Sequence, residues 1–221
     1  MSDTEMLDQQ QTPLVALMDQ VPSGEIQAQS PLHHADLESL AKANSDSAGV
    51  TLKENKLLGH LVLRCDASNT QQTAAVKKAL GFELPIQPLT STHKGDYVMR
   101  WMTPDEWLIT MPGLASFDVE EKLRQEMVGH YSLVNSSGGN TVIELSGPHA
   151  VDVLRKSTPI DFYPTEFPVG KVVSTIFAKS SATIRRISDE RFELVIRRSF
   201  ADYIWLWLQD ASLEFGLNIE I

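Results

Sequence analysis

The sequence predicts an α+β fold in which helices lie on antiparallel sheets. Three patterns lead there: a tight hairpin at residues 97–110, a meander of three strands at residues 171–196, and apolar residues at helical spacing between strand-like runs. With 221 residues the chain can bury one sizeable core or two small ones.

Residues 1–55 are polar, rich in Gln, Asp and Ser, and broken by Pro13, Pro22 and Pro31. They hold no aromatic residue, so they bury too little apolar surface to offset the entropy of ordering. Leu14, Val15, Leu17 and Met18 form one apolar cluster, read either as part of a disordered tail or as a knot that docks on a partner. Ser30-Pro31-Leu32 marks the return to ordered structure. The expected division is a flexible acidic arm over residues 1–29 and one domain over residues 30–221, with regular elements from about residue 56.

Leu57 to Cys65 reads as a strand. Thr70 to Leu80 reads as a helix with Thr73, Val76 and Leu80 on one face, and Gly81 stands where a left-handed C-cap is wanted. Tyr97 to Met102, the turn Thr103-Pro104-Asp105, and Glu106 to Thr110 form the hairpin. Val119, Leu123 and Met127 recur at i, i+4 and i+8, a helical stripe. Thr141 to Ser146 is a strand, and Pro148 opens a helix whose apolar face is Ala150, Val151 and Leu154. Lys171 to Ala178, Ala182 to Ile187 and Arg191 to Ile196 are the meander. Ser199 starts the last helix, with Asp202 completing an approximate capping box. Ile204, Trp207, Leu208 and Ala211 make its core stripe, which leaves Trp205 on the flank. Leu217 to Ile221 ends the chain as an edge strand.

Charge narrows the function. Lys and Arg total 19 against 29 Asp and Glu, a net charge of −10 and a pI near 5.0. Such a chain has no overall attraction for nucleic acid or anionic lipid, so neither is an expected partner. The N-terminus lacks a basic region, and no apolar run approaches the ~20 residues of a bilayer span, so the expected location is the cytoplasm. The single cysteine, Cys65, ends a buried-strand pattern and reads as an inert core thiol.

The motifs of catalysis are missing. Neither G-x-x-x-x-G-K-[ST], G-x-G-x-x-G nor G-x-S-x-G occurs. Ser136-Ser137-Gly138-Gly139-Asn140 lies between two strands rather than before a helix, and reads as a hairpin turn. His33, His34, His60, His93, His130 and His149 show no ligand spacing. Asp105 and Glu106 fall in a turn, where Asp serves the backbone. The expectation is no catalytic, cofactor-binding or metal-binding residue on this chain. Two features instead suggest a partner surface: the pair Arg197 and Arg198 beside Tyr203 at a strand-to-helix junction, and the off-stripe Trp205. The alternative for the arginines is a surface pair neutralised by Asp202 or Glu193.

Four segments in order carry a family resemblance. Trp101-Met102-Thr103-Pro104-Asp105-Glu106-Trp107-Leu108-Ile109 resembles a stretch of sarcosine oxidase gamma subunits. Ser137-Gly138-Gly139-Asn140-Thr141 through Leu145-Ser146-Gly147-Pro148 is similar to a second, with Asn140 where Arg is usual. Asp161, Phe167-Pro168, Gly170 and Thr175 match a third. Arg198-Ser199-Phe200-Ala201-Asp202-Tyr203 with Trp205, Trp207 and Leu208 matches the fourth, and Arg197 stands where Pro is frequent. The similarity spans about residues 30–215.

The resemblance implies a fold like the folate-binding domain of aminomethyltransferase (T-protein). It also implies a structural place beside alpha, beta and delta subunits. That assembly oxidatively demethylates sarcosine to glycine and passes the one-carbon unit to tetrahydrofolate, with FAD, FMN, NAD and zinc carried by the other subunits. Two alternatives share the architecture: the corresponding small subunit of N-methylglutamate dehydrogenase, and a free-standing folate-binding aminomethyltransferase-like protein.

Overall fold

In the computed structural model, residues 27–221 are described. The acidic arm up to residue 26, with its apolar cluster at Leu14–Met18, lies outside them. The elements run α1 (Leu37–Ala41), β1 (Val50–Asn55), β2 (Leu58–Arg64), α2 (Thr70–Leu80), β3 (Ser91–Lys94), β4 (Tyr97–Thr103), β5 (Glu106–Pro112) and α3 (Ser116–Glu126). They continue as β6 (Ser132–Asn135), β7 (Asn140–Ser146), α4 (Ala150–Ser157), β8 (Val172–Phe177), β9 (Ser180–Ser188), β10 (Arg191–Arg197), α5 (Ala201–Ser212) and β11 (Leu217–Glu220).

The strands make two sheets, one ordered β3-β4-β5-β2-β6 and the other β11-β1-β7-β10-β9-β8. Within the first, β2-α2-β4-β5-α3-β6 is a βαββαβ unit, and β7-α4-β9-β10-α5-β11 repeats that connectivity in the second. Each unit carries an extra edge strand, β3 or β8, and the second also takes β1 between β7 and β11. Strand alternation sorts the faces. Leu61, Leu63, Met99, Trp107 and Ile109 pack against Val76 of α2 and Val119 and Leu123 of α3. Ile143, Leu145, Leu194 and Ile196 pack against Leu154 of α4 and Ile204 and Leu208 of α5. The opposite faces of the two sheets meet through Leu108, Val142 and Val195. The result is four layers: helices, sheet, sheet, helices.

The middle of this sandwich is unusually polar. Arg100, 1% exposed, donates to Thr110 Oγ1 at 2.8 Å and to Glu193 at 2.6 Å, and Arg185 donates to the same carboxylate at 2.7 Å. Burial works to raise the Glu193 carboxyl, but the two guanidiniums outweigh it and hold it below the usual range. His60 lies fully buried on β2, with Nδ1 at 3.1 Å from the Leu58 carbonyl and Nε2 without a partner among the described residues. Burial first, then the Arg100 charge, lowers its pKa from 6.5 to about 4.

Local chemistry fixes most boundaries. Asn69 caps α2 by accepting from the amides of Gln71 and Gln72, and Gly81 ends it at φ 76°. The buried face of α2 is Gln72, Ala75 and Val76 rather than Thr73, Val76 and Leu80.

Five further expectations need correction. Order begins well before residue 56: Leu32 and Leu37 are buried, and β1 is an internal strand. Its pattern is masked because one of its inward residues is Glu54, which accepts from Ser30 and Thr141 at 2.8 Å each. Ser136–Asn140 is no hairpin turn, since β6 and β7 belong to different sheets; it is the crossover between the two βαββαβ units. Helix α4 begins at Ala150, two residues after Pro148, and buries Val153 in preference to Val151. Helix α5 begins at Ala201 after a 3₁₀ turn at Arg198–Phe200, with no side-chain cap; Asp202 instead meets His34 at 2.9 Å. Finally, Trp205 is not on the flank: it is 1% exposed, in the core with Ile204 and Leu208.

Candidate functional site

Cys65 and the carboxylate pair of the β4–β5 turn are held by their surroundings. Cys65 is 6% exposed, and burial, helped by Asp66 and Asp105, pushes its thiol up to about 11. Asp105 accepts from Thr103 Oγ1 at 2.8 Å and from Arg64 at 3.1 Å, and Arg64 also reaches Glu106 at 3.4 Å. The Thr103 hydroxyl, with Arg64, holds the Asp105 carboxyl below the usual range. No group of three or more His, Cys, Asp or Glu converges as a metal site among the described residues. No described helix is long and apolar enough to cross a membrane.

Three amides of the crossover Ser136–Asn140 are spent internally. Ser136 N donates to the His60 carbonyl at 2.8 Å, Ser137 N to Asn135 Oδ1 at 3.1 Å and Gly139 N to the Ser136 carbonyl at 2.9 Å. A phosphate cradle needs such groups free. What the loop does is place Asn140 at the start of β7, directly opposite Arg197 at the end of β10.

Arg197 and Arg198 are both exposed, and neither has an ion-pair partner among the described residues. The two neutralising carboxylates expected from sequence are engaged elsewhere: Glu193 with Arg100 and Arg185, Asp202 with His34. Arg198 N donates to the Gly139 carbonyl at 2.9 Å, tying the pair's backbone to the crossover. Tyr203 is half-buried, and its hydroxyl accepts from Lys179 N at 3.3 Å at the tip of the β8–β9 hairpin. Trp205 sits inside the molecule and presents nothing to a partner; Trp207 is the half-exposed indole, donating to Ser157 Oγ at 3.0 Å.

At this end the two sheets splay apart. A cleft of about 290 Å³ opens between them, bounded by Met102, Leu108 and the Arg64-paired Glu106 on one side and by Asn140, Ser174, Thr183 and Arg197 on the other. It runs from the Arg197 side chain across to β8, where Ile176 is 65% exposed. Sequence reading found the arginines but missed Ser174 and Ile176, whose exposure depends on β8 being the last strand of its sheet.

Known proteins resemble this chain in sequence and fold. Residues 64–214 match the model of the "Sarcosine oxidase, gamma subunit family". The chain is 31% identical over 192 residues to "Sarcosine oxidase subunit gamma" of Corynebacterium sp. (strain U-96), covering 85% of this chain and 91% of that protein. It is 31% identical over 194 residues to the same-named protein of Arthrobacter sp., covering 84% and 92%. A chain in the structure of heterotetrameric sarcosine oxidase from Corynebacterium sp. U-96 superposes with a TM-score of 0.77 at 27% identity, covering 86% of this chain and 96% of that one. Glycine cleavage system aminomethyltransferase T from Bartonella henselae superposes with a TM-score of 0.63 at 11% identity, over 86% of this chain and 58% of that one, which is a likeness of fold alone. The chain belongs to the sarcosine oxidase gamma subunit family.

Proposed function

We propose that the chain is the gamma subunit of a heterotetrameric sarcosine oxidase and is itself non-catalytic. Its partners are then the alpha, beta and delta subunits. They hold FAD, FMN, NAD and zinc, and the assembly demethylates sarcosine to glycine while passing the one-carbon unit to tetrahydrofolate. The observation that carries this reading is the near full-length match to gamma subunits, joined to a superposition on a chain of a heterotetrameric enzyme. The non-catalytic part is supported by how the reactive groups are used: Cys65 is held as a thiol, Asp105 and Glu106 are bound to Arg64, and His60 is buried in its neutral form.

A second reading has one observation in its favour. The fold is that of an aminomethyltransferase, and the inter-sheet cleft, about 290 Å³, lies at the small end of ligand pockets. Calorimetry separates the two. The subunit reading expects no saturable heat when tetrahydrofolate is titrated into the isolated chain; micromolar binding would favour the folate reading. Turnover assays on the assembled complex with sarcosine and with N-methylglutamate identify the substrate, with sarcosine the expected one.

A further inference from the structure

The four sheet edges are treated differently. On β11, Asn44 donates Nδ2 to the Ile219 carbonyl and accepts from Ile219 N, both at 2.8 Å, so a side chain imitates the next strand. On β6, Arg124 donates to the Leu133 carbonyl at 2.9 Å. The β3 edge is four residues long and ends in Lys94. These are ordinary ways of preventing strand addition.

The β8 edge is open over its middle. Val172 N donates outward to the Leu89 carbonyl at 2.8 Å, and Ala178 N outward to the Ser157 carbonyl at 2.7 Å. The β8–β9 register is unbroken, so outward-facing residues alternate from 172 to 178, and Ser174 and Ile176 point their amides and carbonyls away from β9. Among the described residues nothing accepts from either amide. The side chains of Ser174 and Ile176 are exposed, and Ser174 lines the cleft that leads to Arg197.

Resting on the subunit reading, we infer that this edge is where an extended segment of a partner subunit adds to the sheet. The segment runs along Ser174–Ile176, covers the Ile176 side chain, and sends a carboxylate across the cleft to Arg197 and Arg198. Backbone pairing supplies affinity and the side chains supply selectivity. The acidic character of the segment follows from charge. Within a chain of net charge −10, these two guanidiniums have no ion-pair partner among the described residues, and Arg197 lines the cleft that reaches the open β8 edge at Ser174.

The test uses the full chain, alone and in complex with its flavoprotein partners. Hydrogen exchange at the Ser174 and Ile176 amides is fast in the isolated chain and slows by about a hundredfold in the complex. Ile176→Pro removes an outward N–H together with the exposed side chain, takes no donor from the β8–β9 ladder, and weakens assembly about tenfold or more with the melting temperature of the isolated chain unchanged. His93→Pro, the matching change on the β3 edge, assembles normally. Arg197→Glu weakens assembly and flattens its salt dependence. Assembly with both amides still fast, or equal loss from His93→Pro and Ile176→Pro, overturns the inference and leaves the subunit reading intact. Protection already present in the isolated chain and abolished by deleting residues 1–26 assigns the edge to the chain's own arm and likewise overturns it. Failure of the wild-type chain to assemble at all removes the subunit reading and the inference with it.

Discussion

Acidification from pH 7 to pH 5 should destabilise the fold through one residue, His60. It is fully buried between the sheets, with its pKa lowered to about 4 by burial and by the Arg100 charge. In the unfolded chain the same imidazole titrates near 6.5. Below that value the unfolded chain takes up a proton that the folded one refuses. Stability is therefore fully present above pH 6.5, falls as pH drops toward 4, and levels off below it. At about 1.4 kcal/mol per pH unit, the gap amounts to about 3 kcal/mol at the acid limit and about 2 kcal/mol at pH 5. A folded unit of this size loses ~2–4 °C per kcal/mol, so the melting temperature should fall by about 4–8 °C between pH 7 and pH 5 from this group alone. Thermal denaturation of the wild type and of His60→Gln, followed by circular dichroism at both pH values, isolates the contribution. The other described histidines are present in both proteins and cancel. Equal pH dependence in the two would refute the reasoning, since it would mean that His60 charges freely inside the fold.

Glu193→Gln leaves Arg100 and Arg185 buried beside each other without their shared carboxylate, and should cost about 3–5 kcal/mol in chemical denaturation; Arg100→Met combined with Glu193→Leu should cost less than Glu193→Gln alone. Trp205→Ala should cost about 3–5 kcal/mol and Trp205→Phe much less, because the indole Nε1 has no partner to lose. Gly147→Ala should destabilise by more than about 2 kcal/mol: at φ 112° a Cβ would stand 2.5 Å from the Gly49 carbonyl oxygen. Cys65 should react with iodoacetamide at neutral pH only on the timescale of unfolding, which mass spectrometry can follow.

What was legible in the sequence was what local chemistry dictates. The limits of α2 could be read because helix-forming spacing runs from Thr70 to a glycine that supplies the left-handed cap. The β4–β5 hairpin and the β8–β10 meander could be read because their alternation is long. Short strands with little to bury were missed. Of the four residues in β6 only Leu133 is buried, and β3 buries none fully. Reading Ser136–Asn140 as a hairpin turn paired the strands on either side of it, and so hid the boundary between the two βαββαβ units.

The α5 stripe shows a different limit. Trp205 and Trp207 stand on opposite sides of the Ile204–Leu208 line, and nothing local decides which side the rest of the protein covers. The decision comes from α4, whose Ser157 receives the Trp207 N–H at the helix–helix seam. The arginine pair was found as chemistry, whereas its freedom was not, because the carboxylates that could have neutralised it are taken by His34 and by Arg100, each distant in sequence. The open β8 edge was equally invisible, since strand order is a property of the whole sheet.

On the proposed reading, this chain acts by fitting against other subunits. Native mass spectrometry of the tagged chain, co-produced with the flavoprotein subunits of its assembly, tests it most directly. A single species holding one copy of this chain with one each of three others is the expected mass. A chain that stays by itself at 24.6 kDa, with the remaining subunits forming a complete active enzyme without it, would rule out a subunit role.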